Sequence, residues 1–183
     1  MRIFWLIIIF ISCDKFSEYG AINFSDGDLD LSSRHVKYNG SLFTGFVYKL
    51  YSNQKDTLSI SFYKKGLKEG VWKKFYQNGT ILEVRKYKKD KKKGSYKGYY
   101  LNGSKAFELV FKNGEYHGTN REWSENGTLI RESNYIDGYE KGFQKVWSHD
   151  GKIKSNYIIK DNRRYGLLGT KNCINVSEDI FTL

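Results

Sequence analysis

The chain has 183 residues and a formal net charge of +11, a length that suits one domain with flanking segments. Its 39% hydrophobic residues allow some apolar surface to be buried. The 17% aromatic content with 18 Gly favours strands joined by tight turns, and the absence of Pro excludes a Pro-rich linker.

Residues 1–12 read as a signal peptide. Arg2 supplies a positive start, and residues 4–11 form an unbroken apolar run. A spanning helix needs about 20 apolar residues, so this run is too short to span and fits an export signal. Ser12 then precedes Cys13, after which the sequence switches abruptly to Asp14 and Lys15. The stretch Phe10-Ile11-Ser12-Cys13 resembles a bacterial lipobox, with Phe at a place more often held by Leu. That resemblance implies cleavage before Cys13, lipidation of its thiol, and an exported protein anchored to a membrane of the cell envelope. An ordinary signal peptide with a cysteine near its end is the plainer alternative. Lipidation of Cys13 leaves Cys173 as a lone thiol, read as buried among Asn172, Ile174 and Val176. Residues 13–34 are expected to be a lipidated tether that adds an edge strand around 21–24.

Residues 35–166 carry an internal repeat. Gly70, Gly94, Gly118, Gly142 and Gly166 are each 24 apart, and so are Gly79, Gly103, Gly127 and Gly151. A third series at that spacing runs Gly66, Asp90, Gly114, Gly138 and Asn162. Asp and Asn are the residues that best tolerate a left-handed backbone in place of Gly. The second series falls in Asn78-Gly79, Asn102-Gly103, Asn126-Gly127 and Asp150-Gly151. These dipeptides are strong hairpin signals and are expected to form type I′ turns, with a longer turn linking one unit to the next. Apolar residues keep columns as well: Leu50, Phe75, Tyr99, Trp123 and Trp147 in one, Tyr87, Phe111, Tyr135 and Ile159 in another. Gly45 opens a first unit one residue longer. The expected fold is all-β, an elongated twisted antiparallel sheet of tandem 24-residue β-hairpins. Its roughly ten strands would extend about 45–50 Å. The aromatic columns are read as core ladders. Residues 167–183 lose the columns and are expected to cap the last hairpin.

Gly70, Trp72, Phe75, Tyr76, Asn78, Gly79 and Glu83 form a pattern that resembles the variant MORN repeat, and Leu42-Phe43-Thr44-Gly45 resembles the entry to its first copy. The resemblance covers roughly residues 38–166, although Trp72 becomes Tyr96, Asn120 and Gln144 in later units. Many bacterial proteins of this arrangement are YwqK-like antitoxins. The resemblance therefore implies a non-catalytic protein that binds a partner, such as a toxin. An exported form would suit an immunity protein guarding the envelope.

Nothing in the pattern assembles a catalytic group. Ser124 and Ser148 share a column but lie in no nucleophile elbow. Glu83, Glu108 and Glu132 recur near Arg85, Lys105 and Arg131, which suggests cross-strand ion pairs rather than a pair of catalytic carboxylates. His35, His117 and His149 have no metal-ligand spacing, and Asp26, Asp28 and Asp30 lack the rest of a calcium loop. No cofactor or metal is expected. Lys86, Lys88, Lys89, Lys91, Lys92, Lys93 and Lys97 crowd one inter-unit turn. A charged turn that discourages strand pairing is the plain account; attraction of an anionic partner is the functional one. Outside the cytoplasm that partner is expected to be a protein or an anionic envelope component, a glycan or lipid headgroup, rather than nucleic acid.

Overall fold

The computed structural model describes residues 18–169. The expected signal peptide, Cys13, Cys173 and all but the first residues of the expected C-terminal cap lie outside them. Within the described residues, strands β1 (Ala21–Asn23), β2 (Leu29–Asp30), β3 (Lys37–Tyr38) and β4 (Ser41–Leu42) form the N-terminal part. The repeats supply β5 (Gly45–Leu50), β6 (Thr57–Lys64), β7 (Leu67–Phe75), β8 (Ile81–Lys88), β9 (Lys91–Lys92) and β10 (Gly94–Tyr99). They continue with β11 (Lys105–Lys112), β12 (Glu115–Tyr116), β13 (Gly118–Trp123), β14 (Leu129–Ile136), β15 (Tyr139–Trp147), β16 (Ile153–Lys160) and β17 (Arg163–Leu167).

Strands β5 to β17 follow one another across a single sheet in chain order, with β9 and β12 as short side pairs. The pairings between them are antiparallel, whereas β1 joins the first edge in parallel, Ala21 facing Phe46. The glycine series and the aromatic column meet across each hairpin: Gly45 faces Tyr63, Gly70 faces Tyr87, Gly94 faces Phe111 and Gly118 faces Tyr135. A glycine opposite a ring leaves the ring room to lie against the sheet. Tyr63, Tyr87 and Phe111 are accordingly buried.

The turns are distributed the other way round from the sequence-based expectation. Asn78 does not have positive φ; Gly79 does, at 84°. The Gly79 amide donates to the Tyr76 carbonyl and the Tyr76 amide to the Thr80 carbonyl. That is a three-residue loop, a type I turn followed by a left-handed Gly in a bulge, and it recurs at Gly103, Gly127 and Gly151. The Asn earns its place by side-chain bonding: Asn78 Oδ1 accepts the Thr80 amide at 3.0 Å. The links between units are the tight two-residue turns. Both central residues have positive φ at Lys65-Gly66, Lys89-Asp90, Asn113-Gly114, Asp137-Gly138 and Asp161-Asn162. These are the type I′ turns.

The segment expected to be tether enters the fold. Leu29, Val36, Phe43, Val47 and Tyr63 form the buried cluster, with Ile22, Leu31, Tyr38 and Trp72 packed on it. β2, β3 and β4 make a small second sheet over the first unit. Val36 donates its amide to the Gly66 carbonyl at 2.9 Å, and Gly66 donates to Phe43 at 2.7 Å.

Lys65 holds φ at 51°, a region costing roughly 1–2 kcal/mol for residues other than Gly, Asn or Asp. Lys65→Asn should therefore raise stability by roughly 0.5–1 kcal/mol. Urea denaturation reads the gain; an unchanged or lower midpoint would contradict the turn assignment.

Candidate functional site

The repeat glycines open the sheet and so decide what lies on its faces. Gly70, Gly94, Gly118 and Gly142 have φ between 67° and 97°. At Gly70 the pairing of β7 with β6 is interrupted: Glu69 faces Phe62, while Lys73 faces Ile60. The backbone groups left behind by such a bulge need other partners. After Gly70, Gly118 and Gly142 the residue two places on supplies them. Trp72 Nε1 donates to the Phe62 carbonyl at 3.0 Å. Asn120 Oδ1 accepts the Val110 amide at 2.7 Å. Gln144 Nε2 donates to the Asn134 carbonyl at 2.8 Å and its Oε1 accepts the Asn134 amide at 3.3 Å. Asn120 and Gln144 are 5% and 2% exposed, so the drift away from Trp keeps the hydrogen-bonding task while losing the ring. Sequence spacing located this column but not its role.

On one face the rings form a ladder. Tyr63, Trp72 and Tyr87 lie at centroid spacings of 5.1 and 4.9 Å, and Phe111, Tyr116 and Tyr135 at 4.7 and 5.1 Å. Lys68 sits over Trp72 and Lys92 over Phe111. Burial pushes the Tyr63 and Tyr96 phenols up to about 12, so both are protonated at neutral pH.

The opposite face carries charge in alternation. Lys97 faces Glu108, Glu108 faces Arg121, Arg121 faces Glu132, and Glu132 faces Lys145. Lys97 Nζ lies 3.3 Å from Glu108, Lys105 Nζ 2.8 Å from it, and Arg121 Nε 2.8 Å from Glu132. Glu83 pairs with Arg85 on the ring side of the sheet. The glutamate column is thus occupied by ion pairs. Ser124 lies against Asn126 Oδ1 and the Thr128 carbonyl, and Ser148 against Asp150 and the Lys152 carbonyl, so each hydroxyl bonds within its own turn. His117 Nδ1 is 3.2 Å from Asp137, and His149 sits in the Ser148–Gly151 turn. Among the described residues no three His, Cys, Asp or Glu side chains converge to hold a metal. An open hollow of about 530 Å³ beside the Gly79 turn is lined by Lys55, Asp56, Thr57, Phe75 and Asn78 among others.

The lysine group divides in two. Lys86, Lys88, Lys89, Lys91 and Lys93 are exposed around the Lys89-Asp90 turn. Among the described residues, none of their ammonium groups pairs with a carboxylate. Lys92 and Lys97 do not join them; the first lies on a ring and the second in the charge ladder. The structure adds neighbours that spacing did not suggest. The turns stack by backbone bonds, Asp90 amide to Lys68 carbonyl at 3.0 Å and Gly114 amide to Lys92 carbonyl at 2.9 Å. This places Lys64, Lys65 and Lys68 on the turn before the cluster and Lys112 on the turn after it.

A family model described as the MORN repeat variant matches residues 68–89 and 116–137. Each match begins two residues before a repeat glycine and ends on the first residue of the next type I′ turn, Lys89 or Asp137. These two segments are similar to the MORN repeat variant. The matched segments are two units apart, and the unit between them has the same hairpin and the same glycine geometry. No curated protein matches the chain.

Two expectations follow. Gln144→Leu strands the Asn134 amide and carbonyl in a buried gap and should cost roughly 1–3 kcal/mol, whereas Ser148→Ala on the exposed turn should stay within about 0.5 kcal/mol. Equal denaturation midpoints for the two variants would refute the bulge-filling role. Glu108 is held below the usual carboxylate range by bonding from Lys105, then Lys97. A depressed folded pKa stabilises above the unfolded value and is lost as pH falls through the folded one. Glu108→Gln should therefore flatten the loss of stability between about pH 5 and pH 3, read from thermal melts across that range.

Proposed function

We propose that this protein is a non-catalytic binding module, tethered to a membrane through Cys13, that presents its basic turn edge to an acidic partner protein. The observation that carries the reading is the stacked row of type I′ turns with five exposed lysines on one unit, paired with no carboxylate among the described residues, and Lys64, Lys65 and Lys112 on the units beside it. Charges held on rigid, regularly spaced turns favour encounter with a surface of opposite sign and set its register. A regular ladder of rings and ion pairs supports binding rather than chemistry. The likeness to MORN-type antitoxins gives the partner a class: a toxin neutralised at the envelope.

The reading has two independent tests. Metabolic palmitate should label the wild type and not Cys13→Ala; equal labelling would remove the anchor. For the edge, Lys86, Lys88, Lys89, Lys91 and Lys93 are changed together to Gln and both proteins are used to retain binders from envelope fractions. The variant should retain the bound protein at least about 10-fold less well at low salt, and the wild-type complex should weaken steeply as salt rises. Retention indifferent to salt and to the five lysines would overturn the proposal. Cosedimentation with peptidoglycan or phosphatidylglycerol vesicles, without any retained protein, would shift the partner to an anionic glycan or lipid.

A further inference from the structure

We propose that a second copy of this chain docks on the margin of type I′ turns, in a two-fold dimer centred on the Asn113-Gly114 turn, where Lys88, Lys89 and Lys91 of each copy meet Ile136, Asp137 and Tyr139 of the other. The first residues of the five turns run Lys65, Lys89, Asn113, Asp137 and Asp161. The side-chain charge at this place thus changes sign along the margin and is absent in the middle. The three central turns form one continuous row. The Gly114 amide donates to the Lys92 carbonyl and the Gly138 amide to the Tyr116 carbonyl, both at 2.9 Å. The repeat spaces them evenly, so Lys89 and Asp137 lie on either side of Asn113, four strands or about 19 Å from each other.

The residues that flank these turns repeat the division. Lys88 faces Lys91, Lys112 faces Glu115 and Ile136 faces Tyr139. Ile136 and Tyr139 are 52% and 81% exposed, an apolar pair at the place where the lysine unit carries two cations. The Asp137 carboxylate between them is 72% exposed and touches His117 Nδ1 at 3.2 Å. On the lysine unit the nearby carboxylates are bound to backbone. Asp90 accepts the Lys68 amide at 2.7 Å, and Glu69 accepts the Lys89 amide at 3.0 Å. Among the described residues the ammonium groups of Lys88, Lys89 and Lys91 pair with no carboxylate. One turn therefore offers cations on long apolar stems, and the other a carboxylate set between an aliphatic side chain and a ring.

Two margins set side by side in parallel and in register would bring each turn against its own copy, lysine against lysine. A two-fold axis through the Asn113-Gly114 turn instead brings the lysine turn against the Asp137 turn, twice, and Lys112 against Glu115 beside the axis. Lysine stems can then lie on Ile136 with an ammonium over the Tyr139 ring. Such a contact uses the same patch on both copies and closes at two. Lys160 and Arg163 flank Asp161, so the last turn is basic on balance. The right-handed twist of each sheet carries the two margins apart beyond the central turns, which keeps that turn away from Lys65 of the other copy. The dimer covers the lysines that an acidic partner would need, so the two would compete. That consequence rests on the function proposed above; the dimer itself does not.

Charge reversal tests the arrangement without disturbing the turns, because Lys65 and Asp161 already hold the same turn position with positive φ in other units. The full chain with Cys13→Ser and Cys173→Ser should sediment as a reversible monomer–dimer equilibrium at about 0.15 M salt. Asp137→Lys alone and Lys89→Asp alone should each weaken the dimer at least about 10-fold. An equal mixture of the two should recover it to within about 3-fold, since each contact again joins unlike charges. In the same background Asn113→Cys, at the axis, should oxidise to a linked dimer, whereas Glu125→Cys on the opposite margin should not. A monomer at every concentration would overturn the proposal. So would a dimer indifferent to Asp137→Lys, a mixture no tighter than its components, or linkage as fast at residue 125 as at 113. Absence of the dimer with an acidic partner still retained would sink this proposal alone, so the two readings fail separately.

Discussion

Hydrogen bonding between neighbouring strands is the constraint on which the rest of the structure depends. Among the described residues, no second layer packs on the sheet beyond the first unit. Burial must come from within the sheet itself, by laying rings along one face and letting the glycine bulges sink one side chain per unit between strands. Removing the ring opposite Gly70 or the amide at Gln144 would disturb a local pairing, because no remote core would compensate.

The same constraint explains the divided use of charge. A single-layer sheet has two wet faces, and side chains directly opposite each other must either pair or repel. On the strands, Lys97, Glu108, Arg121, Glu132 and Lys145 alternate in sign and neutralise one another. On the turns no such alternation is imposed, and there the excess of lysine collects. The proposed binding edge lies where strand pairing places no demand on the side chains.

Periodicity made the repeat, its length and its columns legible, because a glycine opposite a ring leaves the same trace in every unit. Turn type was not legible in that way. Asn78-Gly79 matches a type I′ dipeptide, but the Asn serves through its side chain and only the Gly is left-handed; Lys65 and Lys89, which carry no such signal, are the left-handed residues. The edge strand expected around 21–24 is present as β1, but the contribution of residues 29–43 was hidden, since β2 to β4 are two residues long and too short to show alternation. Among the candidate site residues, sequence adjacency grouped Lys92 and Lys97 with the exposed five, although a strand sends alternate side chains to opposite faces and each found a partner there.

The hairpin edge opposite the lysines changes character along the chain. Tyr51 donates its hydroxyl to the Phe75 carbonyl, Tyr76 to Tyr99 and Tyr100 to Trp123, each reaching across to the next unit. At the following positions Ser124 and Ser148 bond inside their own turns. Among the described residues, tyrosine hydroxyls therefore lace the first units together along that margin and serine hydroxyls do not do so for the last. An object gripping the lysine-bearing units would therefore hold the part of the sheet whose hairpin ends are cross-tied by the Tyr51, Tyr76 and Tyr100 hydroxyls.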